Sequence, residues 1–131
     1  MTVETRVRIS PFVLAAGDAL AIVLFSVIGL ANHDEGITVG GIVRNSGPIL
    51  AAFAVVAPFA RTYTKPGLRS LLVTWAIAVP IGVVIRAIAL DRPADGSQAT
   101  FAIVTMITTL ILLVAWRGIA TVASRARSSR P

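Results

Sequence analysis

The chain has 131 residues, 56% hydrophobic and 14% charged, with a formal net charge of +6 and a mean hydropathy of +0.85. Ordinary soluble domains are about 25% charged; a chain this apolar cannot hide its side chains in one soluble core and must use the bilayer as solvent. With no cysteine and one histidine, disulfides, thiolate chemistry and multi-histidine metal sites within one chain are excluded, and the basic residues flank apolar segments instead of forming a continuous face for nucleic acid.

The first apolar run, Pro11–Ala31, reaches the ~20 residues a spanning helix needs, and a helix is expected over 11–31. The second, Gly47–Ala60, has 14 uninterrupted apolar residues; it reaches span length as 44–63 if Arg44 and Arg61 snorkel in opposite directions. Leu71–Leu90 and Ala99–Trp116 predict helices over 69–90 and 99–117, followed by a basic tail, 118–131. The expected fold is all-α, one transmembrane domain built as a four-helix bundle. A signal-peptide reading of the first run, with Gly29-Leu30-Ala31 as a cleavage site, fails on its length and its embedded acid.

Charge sets the expected orientation. Four crossings put Arg6, Arg8, Arg61, Lys65, Arg69, Arg117, Arg125, Arg127 and Arg130 on one side, and only Arg44, Arg86 and Arg92 on the other. That bias predicts cytoplasmic N- and C-termini in a cell (inner) membrane. Asp34, Glu35, Asp91 and Asp95 all fall on the outer side. The loops are short and rich in Pro and Gly, as tight turns between antiparallel neighbours require. The tail carries Arg and no acid, so its expected partner is the anionic headgroup layer.

Asp18 is the residue that demands explanation, because a carboxylate at a helix centre costs about 2.5–3.5 kcal/mol on insertion scales. At a rise of ~1.5 Å per residue it lies roughly 10 Å above the cytoplasmic edge of its helix. Arg86 lies near the outer end of the third helix, too far for a direct pair, and is expected to snorkel or to meet Asp34, Glu35 or Asp91. Thr74, Trp75 and Arg117 lie at the depth of Asp18, and an Asp18–Arg117 pair with the Trp75 indole as donor is geometrically reasonable. Such a cluster either locks helices together or, facing a cavity, exchanges a proton or cation.

Thr105, Thr108 and Thr109 share a face by i, i+3, i+4 spacing and are candidates for a polar path, although such threonines more often bond within the bundle. His33, Asp34 and Arg86 form an outer polar group, with a solvated loop as the plainer reading of His33-Asp34-Glu35. Ala15, Gly17, Ala19, Ala21, Ala51, Ala52 and Ala54 permit close helix approach, and Pro48, Pro58 and Pro80 are potential kinks. No nucleophile–base pair, phosphate loop, metal set or cofactor motif is present, so an enzyme is not expected.

Gly17-Asp18, Phe25, Gly29 and His33, then Pro48, Pro80 and Arg86, then Phe101, Val104-Thr105 and Trp116-Arg117 give the chain its likeness to a known group. It resembles the small prokaryotic four-helix membrane proteins filed as domain of unknown function 3054, although its second helix is less aromatic than that group's. The resemblance implies the fold and directs interest to Asp18, His33, Arg86 and Arg117; it implies no activity. An architectural likeness to small multidrug-resistance exporters rests on four helices and a first-helix acid, but the charge bias argues against their dual-topology dimer. Two readings follow: a proton- or cation-linked carrier centred on Asp18, or a structural or partner-binding subunit. At this size, either implies a homo-oligomer.

Overall fold

Helix ends in this chain are set by local chemistry. Pro11 opens α1 (Pro11–Asn32) at a position where its missing N–H costs nothing, and Leu14 N–H donates to Ser10 O at 3.1 Å. Thr38, extended at φ −124°, caps α2 (Val39–Ala60) by accepting from Gly41 N–H at 3.0 Å. The second helix therefore starts five residues before the expected Arg44. A capping hydroxyl, and not the first charge, marks its beginning.

The same helix stops at Ala60, short of the expected 63. Arg61 takes the left-handed conformation (φ 56°, ψ 36°), donating its N–H to Pro58 O while Thr62 N–H returns to Ala57 O. This is the Schellman ending, which usually takes glycine at the left-handed position. Next come α3 (Leu68–Ala89) and α4 (Gly96–Ser128). The computed structural model describes residues 9–32, 36–91 and 96–128. Pro48, Pro58 and Pro80 lie inside helices that continue through them.

Each of the first three helices has 22 residues, or ~33 Å at 1.5 Å per residue, close to the ~30 Å hydrocarbon core of a bilayer. The fourth has 33 residues, ~50 Å, so the expected basic tail is helical through Ser128. Between Gly118 and Arg127 the sequence has no proline and no second glycine, and nothing interrupts the ladder.

All four helices are long and apolar enough to cross a membrane. Large apolar side chains point outward on every one, including Leu20, Val55, Phe59, Ile88 and Ile111, with Phe59 85% exposed. Such a surface suits lipid, not water; this is a multi-pass membrane protein.

The helices form a closed ring in which α1 packs on α2 and α4, α2 on α3, and α3 on α4, with no diagonal contact among the described residues. The tightest pair is α2–α3, where a Cβ on Gly82 would stand 2.6 Å from Ile49 Cα. Ile22, Ile49, Leu71, Val79 and Leu113 fill the interior, each fully buried. Of the small residues expected to mediate approach, Gly17, Ala21 and Ala52 are buried, whereas Ala51 and Ala54 are exposed. The start of α1, the α2–α3 turn and the later part of α4 meet at one end of the bundle, and Asp18 lies there.

Candidate functional site

Asp18 occupies the second turn of α1 and is 1% exposed. Arg117 reaches it from α4 as a two-pronged donor, with Nε 3.0 Å from Oδ1 and Nη2 2.6 Å from Oδ2. Tyr63 supplies a third bond, its hydroxyl donating to Oδ2 at 2.8 Å. A bidentate guanidinium with a further neutral donor is the kind of arrangement that makes a buried carboxylate tolerable. The Arg117 guanidinium also lies 5.7 Å from the Tyr63 ring centroid, within cation–π range.

The α2–α3 turn explains how Tyr63 arrives. The left-handed turn at Arg61 sends the chain back toward the bundle, burying Thr62 and pointing Tyr63 at Asp18. Thr62 Oγ1 bonds the Thr74 hydroxyl, pinning the turn to α3, and Thr74 Oγ1 donates to Ser70 O at 2.8 Å. Burial first, then the adjacent carboxylate and its hydrogen bond, push the Tyr63 phenol above the ordinary tyrosine value, against a smaller opposing effect of Arg117. Tyr63 is therefore a neutral donor.

One expected contact is corrected. The Trp75 indole does not serve Asp18; its Nε1 donates to Met106 O at 3.1 Å and to Thr109 Oγ1 at 3.3 Å. Trp75 thus ties α3 to α4, while Thr74 ties α3 to the turn. Sequence reading overlooked Tyr63, the single tyrosine of the chain, by placing it as the last residue of the second helix. Its signal was that an amphipathic aromatic just past a span tends to seek a polar partner.

Beside the pair, Trp116 packs against Gly17, where an added Cβ would stand 1.9 Å from its Cε2. The consecutive residues Gly17-Asp18 thus oppose Trp116-Arg117, one pair in apolar contact and the next in ionic contact.

The other expected residues are dispersed. Arg86 turns to α2, its Nε donating to Asn45 Oδ1 at 3.0 Å, and its guanidinium lies 4.1 Å from the Phe101 ring centroid. Phe101 in turn meets Phe25, centroids 6.4 Å apart, so this second cluster draws residues from all four helices. His33 and Asp34 lie outside the described residues. Of the three threonines expected to share a face of α4, Thr105 and Thr109 are buried and Thr108 is half-buried, and Thr109 Oγ1 donates to Thr105 O at 2.6 Å.

The family model described as "Protein of unknown function (DUF3054)" matches residues 15–120, a range that contains Gly17, Asp18, Tyr63, Trp116 and Arg117. No curated protein and no solved structure matches the chain.

Proposed function

Since the chain belongs to the DUF3054 family, whose description carries no activity, we propose a role argued from the Asp18 cluster itself: a structural or partner-binding membrane subunit in which Asp18 holds helices together. The observation that carries this reading is the occupancy of the carboxylate. Both oxygens are engaged by Arg117, Oδ2 also by Tyr63, and the residue is 1% exposed. A site that cycles a proton or cation needs an open oxygen face and an aqueous approach. Here Ile22 and Leu113, one helical turn inward on α1 and α4, are fully buried beside the pair.

The remaining parts of the proposal rest on sequence. The nine-to-three distribution of cationic residues supports cytoplasmic N- and C-termini in a cell (inner) membrane. The arginines after Arg117 support contact with anionic headgroups. The absence of a nucleophile–base pair or cofactor motif supports a role without catalysis, and the small size supports a homo-oligomer.

The alternative is a carrier centred on Asp18, and reconstitution separates the two. Proteoliposomes containing the wild-type chain are expected to show no proton or monovalent-cation flux that depends on Asp18. The charge-swapped variant Asp18→Arg/Arg117→Asp is expected to recover part of the thermal stability that either single change removes. A flux abolished by Asp18→Asn in a protein that remains folded overturns the structural reading.

A further inference from the structure

Among the described residues, five helical hydroxyls belong to buried side chains: Ser26, Ser46, Thr74, Thr105 and Thr109. Three return to the carbonyl one turn back, Ser46 to Ile42 O at 2.6 Å, Thr74 to Ser70 O at 2.8 Å and Thr109 to Thr105 O at 2.6 Å. That is a common way for a helical hydroxyl to be satisfied. Ser26 and Thr105 depart from it. Their oxygens have no protein hydrogen-bond partner, although the residues are only 1% and 0% exposed.

Helix register puts these two hydroxyls at comparable levels of the α1–α4 seam. Gly17 faces Trp116 toward one end, and Phe25 meets Phe101 toward the other. In an antiparallel pair with equal rise per residue, those contacts place the α4 position opposite Ser26 between about 100 and 107. Thr105 falls in that window. The faces agree as well, since Ser26 continues the i+4 stripe of Asp18 and Ile22, and Thr105 that of Thr109, Leu113 and Arg117.

We propose that Ser26 Oγ and Thr105 Oγ1 hold one buried water that bridges α1 and α4. A hydroxyl both donates and accepts, and a buried water is stable with two to four polar partners. Two neutral hydroxyls suit a water, whereas a hard cation such as Ca²⁺ takes six to eight oxygen ligands. Asp18 is engaged elsewhere by Arg117 and Tyr63. The water ties α1 to α4 about two helical turns along α1 from Asp18 and about three along α4 from Arg117, next to the Phe25–Phe101 contact. It is independent of whether Asp18 is structural or titrates.

The test uses the full chain in lipid nanodiscs, with thermal midpoints for wild type, Ser26→Ala, Thr105→Val, the double variant and Thr105→Ser, together with a crystal structure grown from a lipidic phase. Each hydroxyl deletion is expected to lower the midpoint by several degrees, the double variant to fall no further than the worse single one, and Thr105→Ser to match wild type. The density is expected to hold one water within hydrogen-bond distance of both oxygens. Midpoints that rise, or losses that simply add, overturn the proposal, as does a direct Ser26–Thr105 bond with no water between. Should a deletion variant fail to fold, the wild-type density and Thr105→Ser decide alone.

Discussion

Gly17 makes the space that Trp116 fills, and the next residue on each helix forms the ion pair. A Cβ at Gly17 would overlap the indole, at 1.9 Å from Cε2 and 2.4 Å from Nε1, so even alanine forces the ring or the helix to move. Overpacking of this kind costs about 1–3 kcal/mol. Gly17→Ala is expected to lower stability by that amount in a denaturant or thermal titration, and Gly17→Ala/Trp116→Leu to regain part of it. Equal losses in the single and double variants would show that Trp116 is not the cause.

The ion pair should be strongly non-additive. Deleting one member of a buried pair costs about 3–5 kcal/mol because the survivor stays buried and uncompensated. Arg117→Met is therefore expected to be severely destabilising, and Asp18→Leu/Arg117→Met less so than Arg117→Met alone. A double-mutant cycle on purified protein measures this; additive losses would mean that the two side chains do not support one another.

Tyr63 offers a pH signature. Its folded-state phenol titrates above the ordinary value of 10.0, so its contribution is complete below that pH and is lost as pH rises toward the folded-state value. Because the chain has one tyrosine, tyrosinate absorbance reports on it directly and is expected to appear only well above pH 10, together with unfolding. Tyr63→Phe removes a hydrogen bond to a charged group, worth about 1.5–3 kcal/mol, and should flatten the alkaline limb of the stability profile. Titration of native protein at the ordinary value would contradict the buried, hydrogen-bonded phenol.

Glycines in this chain divide by what surrounds them. At Gly82 a Cβ would meet Ile49 backbone at 2.6 Å, whereas at Gly118 it would meet nothing within 4 Å. Gly82→Ala is expected to separate α2 from α3 and cost about 1–3 kcal/mol, while Gly118→Ala gains roughly 0.5–1 kcal/mol from helix propensity. Thermal midpoints moving in opposite directions check both.

Arg61 holds a left-handed conformation at φ 56°, which costs a residue with a Cβ about 1–2 kcal/mol. Arg61→Gly is expected to raise stability by somewhat less than that, since glycine also loses more backbone entropy on folding. A fall in the midpoint would show that the exposed arginine contributes more through its charge than its backbone costs.

The spans were legible because their signal adds along the chain: apolar length, flanking charge and turn residues need no knowledge of neighbours. Helix ends were less so. Charge suggested Arg44 and Tyr63 as the limits of the second helix, but the Thr38 cap and the Arg61 turn decided them. Charge likewise suggested a tail after Arg117, and an unbroken backbone ladder carried α4 to Ser128 instead.

The sequence by itself determined that four apolar helices cross a bilayer and that one of them carries an acid in need of partners. Depth along an axis put Arg117, Trp75 and Thr74 within reach of Asp18, but depth is one coordinate. Rotation about each helix and the path of the α2–α3 turn are the others, and packing sets both. Only the tertiary structure assigned Arg117 and Tyr63 to the carboxylate, sent Trp75 to Met106 and Thr109, laid Trp116 on Gly17 and seated Arg86 beside Asn45 and Phe101. Hydropathy selects which segments enter the membrane; it has no term for which face of one helix meets which face of the next.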